Sequence, residues 1–480
     1  MSRVGKRGKR WLLLGHRWFG IGTGLLFALW IGSGLVMLYV PFPHLTRAER
    51  LERLAPIAWD KVVIGPDAAL AAAGSPDVRA GFRLEMRADK PVYRIAGPDG
   101  IPLTVSARTG ERLGPLDAAE AVRIAGGGKA SRVSRDQWTV TARYDPLRPF
   151  IKVALGDPAG YEVYVSVPTG EVALVTTRWQ RGWNWLGAVT HWIYLTPLRA
   201  RPEAWRQALL WLSAIASVTA VTGLSVGVWR LRLRNRYRGG GVSPYRGLAL
   251  WHHLIGMAGG VSLVCFIVSG WLSMNPNRWF SSTTPPEAVR NAYAGHPGAL
   301  GVSVAELHRL AGPSLATLHF APIGGRWWMV RETAGGPAAT DLGGGPGPDS
   351  ATLEAAARMP GGHLTEAKLV ATYDAYWSPN GSDRPLPVLR LTFDDPAATW
   401  LHIDPRDGTL LNRLDRSGRA NRWLFDAFHR LDIPGLSTRP FWRFSAQWAL
   451  NLVGAGIALT GLIAGGRRFG RMFRPRVGRG

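Results

Sequence analysis

The sequence predicts an α-helical membrane protein: a four-helix transmembrane bundle built from a duplicated two-span unit, with two α+β modules on the outer side. Three observations predict it. Four apolar runs of spanning length interrupt the 480 residues, basic residues crowd beside those runs, and the second half of the chain repeats the first at a nearly fixed offset.

The runs fall at 18–40, 205–229, 248–274 and 444–466, and their cores carry no Asp, Glu, Lys or Arg. A helix needs about 20 such residues to cross the hydrocarbon layer. The first run is too long for the apolar region of a signal peptide and lacks a small-x-small cleavage site, so it is expected to be a retained span. Hydrophobic residues make up 46% of the chain, and its 22 tryptophans suit the aromatic belts of a membrane protein.

The net charge of +25 would ordinarily point to nucleic acid. Its placement argues otherwise. Eighteen positive charges sit in "MSRVGKRGKRW" through Arg17, in "RLRLRNRYR" with Arg246, and in "RRFGRMFRPRVGRG", leaving +7 for all the rest. Each cluster abuts an apolar run, which is the positive-inside pattern, and no nucleic-acid partner is expected. Both termini are then cytoplasmic, in what reads as a bacterial inner membrane with large periplasmic modules. A single cysteine, Cys265, rules out an intrachain disulfide or a C-x-x-C-H haem attachment.

In chain order the expected parts are the basic N-terminus with span 1 (1–40), a first periplasmic module ending in a pre-span helix with His191 (41–204), and span 2 (205–229). A basic cytoplasmic loop (230–247) and span 3 (248–274) follow. A second module with its own pre-span helix and His429 (275–443), span 4 (444–466) and a basic tail (467–480) complete the chain. Within the modules, "PVYRIAGPDGIPLTVSARTGERL", "GYEVYVSVPTGEVALV" and "ATWLHIDPRDGTLLNRL" read as hairpins closed by glycine-containing turns. "LDAAEAVRIAGG" and "SVAELHRLAG" read as short helices stopped by glycine. The segment 334–349, "AGGPAATDLGGGPGPD", is rich enough in Gly and Pro to predict a mobile loop.

A shift of 236 lays "GHRWFGIGTGLLFALWIGSG" over "WHHLIGMAGGVSLVCFIVSG", matching His16 to His252, Gly20 to Gly256, Gly24 to Gly260, Ser33 to Ser269 and Gly34 to Gly270. A shift of 238 matches His191 to His429, Arg201–Pro202 to Arg439–Pro440, and "TGL" at 222–224 to "TGL" at 460–462. One span–module–span unit has been doubled, which predicts a pseudo-twofold axis along the membrane normal. His16 and His252 then share an inner level, and His191 and His429 an outer one.

Two imidazoles facing each other at one level are the axial set of a six-coordinate haem iron. Helix geometry at about 100° per residue puts His16, Gly20 and Gly24 on one face, with room for a flat porphyrin. Span 3 repeats the face with His252, Gly256 and Gly260. Gly34 and Gly270, about 27 Å further along, are placed to flank a second haem. Arg17 is a candidate partner for haem propionates.

Alternatives stay open at this point. His253 lies 100° off the glycine face and is a second candidate inner ligand. His191 and His429 would serve equally as caps of interfacial helices. His44, His296, His308, His319, His363 and His402 have no recurrent spacing and read as surface or hydrogen-bonded residues.

The order "HRWFG…SG", "TGEV"-type hairpins and "FHRLDIPG…RP" resembles the PepSY-associated transmembrane family (PepSY_TM), which includes inner-membrane ferric-siderophore reductases. The resemblance spans essentially the whole chain. It implies that His16, His252, His191 and His429 ligate two non-covalent b-type haems. It implies electron transfer from the cytoplasmic side to a periplasmic acceptor, a ferric siderophore or another oxidant. Trp192 follows His191 where the family carries a basic residue. No dinucleotide fingerprint follows a strand, and the inside loops are too short for a flavin domain, so the donor is expected to be a quinol or a separate redox protein. Two rival classes remain: a membrane-anchored PepSY module that binds or inhibits a partner, and a transporter. The transporter is disfavoured by span cores without ionisable residues.

Overall fold

The computed structural model describes residues 3–473 except 75, 98–99, 334 and 380–383, with side chains from residue 7 onward. Parts of the two terminal basic clusters (side chains of Arg3 and Lys6, and all of 474–480) and Pro98–Asp99 of the first expected turn lie outside the described residues.

Among the described residues, four helices are long and apolar enough to cross a membrane: Arg7–Met37 within the longer helix Arg3–Met37, Pro202–Arg230, Leu248–Ser273 and Pro440–Met472. The second and fourth extend their expected apolar runs at both ends, the third stops one residue short of its run, and the first begins earlier and stops at Met37, three residues short of the predicted limit. Pro202 and Pro440 occupy the first turn of the second and fourth helices, where a missing N–H costs nothing. The first helix packs on the second and fourth, and the third likewise, so the first and third stand diagonally across the bundle. Phe27, Ile31, Leu263 and Ile267 fill its middle together with Ala216, Ala220, Ile457 and Ala458. Phe27 and Leu263, like Ile31 and Ile267, are repeat mates, so this layer obeys the duplication.

The two segments between the helices are α+β, as expected, and the hairpins form where the alternation placed them. They share their central sheet, however. Strands β1 (Phe82–Arg87), β2 (Lys90–Ala96) and β3 (Pro102–Ser106) come from the first segment. Each half also owns a four-stranded meander: β4 (Lys129–Val133), β5 (Phe150–Ala154), β6 (Glu162–Ser166) and β7 (Val172–Thr176) in the first. From the second segment come β8 (Thr317–Ile323), β9 (Arg326–Thr333) and β10 (Gly336–Thr340), then the second meander β11 (Leu364–Val370), β12 (Val388–Phe393), β13 (Trp400–Ile403) and β14 (Leu410–Leu414). The central sheet runs β10-β9-β8-β1-β2-β3. Two α+β modules were expected, and the strands of both segments meet in one joint sheet.

The joint is symmetric. β1 pairs antiparallel with β8, placing Phe82 opposite Phe320, Arg83 opposite His319 and Leu84 opposite Leu318. Adding 236 to Phe82 gives Leu318, and adding it to Arg83 gives His319. The pairing therefore maps onto itself, and the pseudo-twofold axis passes through the Arg83–His319 pair.

A second correction concerns 334–349. Residues 336–340 form β10, paired with β9 from Gly336↔Thr333 to Thr340↔Met329. Backbone hydrogen bonds to a strand already in place do not need bulky side chains, so composition alone misled. The glycine-stopped helices form as expected, Ala118–Ala125 ending at Gly126 (φ 84°) and Val304–Ala311 at Gly312 (φ 82°).

Candidate functional site

The doubled helices bring the four expected histidines together in two pairs. The His16 and His252 ring centroids are 6.3 Å apart with planes at 24°, and those of His191 and His429 are 6.2 Å apart at 64°. His16 and His252 project from the diagonal helices. His191 and His429 are carried in from outside the bundle.

The two halves deliver their outer histidines differently. The helix Arg178–Leu186 opens with a Thr177–Gln180 capping box and breaks at Gly187 (φ −91°, ψ −110°), after which Ala188–His191 forms one tight turn. A Cβ on Gly187 would lie 3.0 Å from Val36 Cγ1, so the break also lets the chain approach the first helix. In the second half Arg416–Asn421 runs into a π-helical turn, Arg422–Ala427, before Phe428–Arg430. Such turns recur at functional sites because they rotate the residues that follow.

Hydrogen bonds fix which ring nitrogen is a base. His191 Nδ1 lies 3.2 Å from the Trp30 carbonyl oxygen and His429 Nδ1 3.0 Å from that of Phe266. His16 Nδ1 lies 3.2 Å from the Thr219 carbonyl oxygen. A carbonyl only accepts, so these three Nδ1 atoms carry hydrogen. His252 Nδ1 lies 3.0 Å from Thr460 Oγ1, whose own hydrogen is donated to the Gly456 carbonyl at 2.6 Å. It too is a donor. All four neutral rings therefore present an unprotonated Nε2, and among the described residues none of these Nε2 atoms has a hydrogen-bond partner.

His253 behaves differently. Its Nε2 lies 2.9 Å from the Gly227 carbonyl, to which it must donate, and its Nδ1 2.7 Å from Ser243 Oγ. Both nitrogens are used, which sets it apart from His252. Three of the other histidines hold structural contacts. His402 is buried, stacks on Trp377 with centroids 4.8 Å apart, and takes a hydrogen bond from Arg390 Nε. His308 stacks on Trp59, and His44 turns back on the Phe42 carbonyl. Burial first, then the Arg390 cation, pushes the His402 imidazole down to about 3.

The residues present fit a haem iron. A metal–imidazole bond of about 2.0–2.1 Å puts a ring centroid about 3.2 Å from the metal, so two axial rings stand about 6.4 Å apart. Both pairs match that spacing. A cavity of about 390 Å³ surrounds the inner pair and lies between all four helices, with Gly20 and Gly256 in its wall and the exposed Arg17 and Arg468 at its rim. Its size is in the range of cofactor sites, about 300–1,000 Å³. A Cβ on Gly20 or Gly256 would meet nothing within 4 Å. Gly24 and Gly260 also line the cavity, but there they admit Leu462 and Leu224, which would lie 3.6 and 3.0 Å from an added Cβ. Gly34 and Gly270 seat the outer imidazoles themselves: an added Cβ would lie 3.6 and 3.3 Å from the Cε1 atoms of His191 and His429.

Sequence reasoning missed Gly223 and Gly461. An added Cβ would stand 2.6 Å from His16 Cε1 in one case and 3.1 Å from His252 Cε1 in the other. The repeated "TGL" was the available signal. Ser33 and Ser269 were aligned without a role, and both lie against an outer histidine.

Away from the helices, Glu85 is 1% exposed and is held by Arg50, Arg83 and Arg94. Burial alone would raise its carboxyl, but those three cations outweigh it and hold it well below the usual range. Comparison with known proteins returns no matching family model and no curated relative.

Proposed function

We propose that the chain is a transmembrane oxidoreductase holding two non-covalent b-type haems, one between His16 and His252 and one between His191 and His429. The observation that carries this reading is that four histidines with unpartnered Nε2 atoms come together in two pairs, their ring centroids 6.3 and 6.2 Å apart. Bound iron porphyrin would supply one-electron chemistry at each level. The chain's own part is to hold the four rings in the Nδ1–H form, to keep the space beside Gly20 and Gly256 clear, and to offer Arg17 and Arg468 to carboxylates at the inner rim. The packed layer of Phe27, Ile31, Leu263 and Ile267 separates the levels and excludes water between them.

By the positive-inside pattern the inner pair faces the cytoplasm of a bacterial inner membrane, and the joint sheet lies in the periplasm. Electrons would enter from a quinol or a redox protein and leave to a periplasmic acceptor. The resemblance to PepSY-associated transmembrane proteins makes ferric siderophore the first acceptor to test. The rival reading, a non-enzymatic binding or inhibitory module, gives no reason for two imidazole pairs with unpartnered Nε2 atoms.

Full-length protein purified in detergent is expected to give a dithionite-reduced minus oxidised spectrum of b type with close to two haems per chain. A folded but colourless protein would refute the reading. Stopped-flow reoxidation of the reduced protein by a panel of ferric chelates would then identify the acceptor class.

A further inference from the structure

The outer pair carries on both rings a device that the inner pair has on one ring only, where the Thr460 hydroxyl meets His252 Nδ1. Ser33 is 3% exposed and Ser269 2%, and each stands one turn beyond a carbonyl that an outer histidine uses. The Ser33 hydroxyl donates to the Trp30 carbonyl at 3.2 Å, and its oxygen lies 3.1 Å from His191 Nδ1. Ser269 repeats this, donating to the Phe266 carbonyl at 3.0 Å with its oxygen 3.2 Å from His429 Nδ1. With each hydroxyl hydrogen committed to a carbonyl, the hydroxyl lone pairs face Nδ1. Each outer Nδ1–H is thus shared between two acceptors, one turn apart on a rigid helix.

A ring held at one edge by two fixed acceptors cannot swing about its Cβ–Cγ bond as freely as a ring held by one. Gly34 and Gly270 close the remaining side at the Cε1 atoms. The diagonal helices are related by the pseudo-twofold axis, so the two clamps act from opposite sides, and the imidazole planes cross at 64°. At the inner level, where His252 Nδ1 alone lies against a hydroxyl and His16 Nδ1 lies on the Thr219 carbonyl, the planes lie at 24°.

We propose that Ser33 and Ser269 are positioning residues for the outer iron site: they lock His191 and His429 as Nδ1–H tautomers with crossed ring planes, and so give the outer haem an electronic character distinct from the inner one. This rests on the two-haem reading. Crossed axial imidazoles leave a low-spin ferric ion with nearly degenerate π orbitals and a highly anisotropic EPR signal, whereas nearly parallel rings give an ordinary rhombic one. Two acceptors on Nδ1–H also make the imidazole a stronger donor, which favours the ferric state.

The test uses the full-length haem-loaded protein, its Ser33→Ala/Ser269→Ala variant and its Ser33→Thr/Ser269→Thr variant. Haem content, EPR of the oxidised protein and potentiometric titration are read on each. Wild type is expected to show one highly anisotropic and one rhombic signal. The alanine variant should keep two haems, lose the highly anisotropic signal, and raise one midpoint potential while leaving the other in place. Threonine, which retains the hydroxyl, should restore the wild-type signal. If the double alanine variant does not fold, Ser33→Ala alone is read, with the same signal expected to shift. An alanine variant with two haems and unaltered EPR and midpoints would overturn the inference and leave the two-haem reading intact. Absence of haem from wild type would overturn the reading itself.

Discussion

The first half of the chain brings His191 to its level through a helix snapped at Gly187, and the second brings His429 there through a π-helical turn. The residues that follow also differ, Trp192 in one and Arg430 in the other. Yet the two rings end 6.2 Å apart, each on the carbonyl of a repeat-matched residue and beside a matched serine. Divergence has run freely in the approach and not at the imidazole. The inner level repeats the lesson, where Arg17 and His253 occupy matched positions but His16 and His252 face one another. What the duplication has kept is the placement of four nitrogen bases.

The largest expected effect breaks a pair outright. His252→Ala should halve the haem content and leave the outer haem's spectrum unchanged, and His16→Ala should do the same, as pyridine haemochrome assay and difference spectra would read. Retention of both haems by both variants would show the inner pair to be misassigned.

The halves also differ in charge. Glu85 has Ala321 as its repeat mate, and Arg94 has Val330, so the buried ionic cluster beside the axis belongs mainly to the first half. Glu85→Gln strands three arginines, two of them 26% exposed or less by side chain and one nearly buried. It is expected to cost about 3–5 kcal/mol. Glu332→Gln, which loses Arg47 (36% exposed) and the neighbouring His319 Nε2 at 3.3 Å, should cost under about 1 kcal/mol. Thermal unfolding of the two variants side by side measures the contrast, and equal losses would deny it.

A smaller asymmetry sits at the glycines behind the inner rings. The alanine methyl of Gly223→Ala would start 2.6 Å from His16, against 3.1 Å from His252 for Gly461→Ala. Gly223→Ala should therefore loosen haem more, seen as faster transfer to apomyoglobin. The mildest effect is acid sensitivity. His402 takes up a proton near 6.5 when unfolded but only near about 3 in the fold, so the unfolded chain binds more protons across that window. Stability is full above pH 6.5 and falls as pH drops toward 3. His402→Gln should flatten that slope in a series of melting temperatures.

Spans, hairpins and the four histidines were legible because each announces itself locally, by apolar run length, by alternation around a glycine turn, or by a match at a shift of 236 or 238. The shared sheet was not, since the β1–β8 pairing joins strands far apart in sequence that alternate as ordinary edge strands would. Gly223 and Gly461 could be seen as repeated but not as ring supports, because the distance that matters is to another helix. The choice between His252 and His253 needed the hydrogen-bond partners of His253, Gly227 and Ser243, and neither is adjacent to it in sequence.

The self-matching register of β1 on β8 has a consequence for origins. Before the gene was doubled, the same strand edge would have paired with its own copy, closing a six-stranded sheet across two identical polypeptides and bringing each histidine opposite itself. A single unit carries one histidine of each pair, so on the two-haem reading either site is complete only where two such units meet.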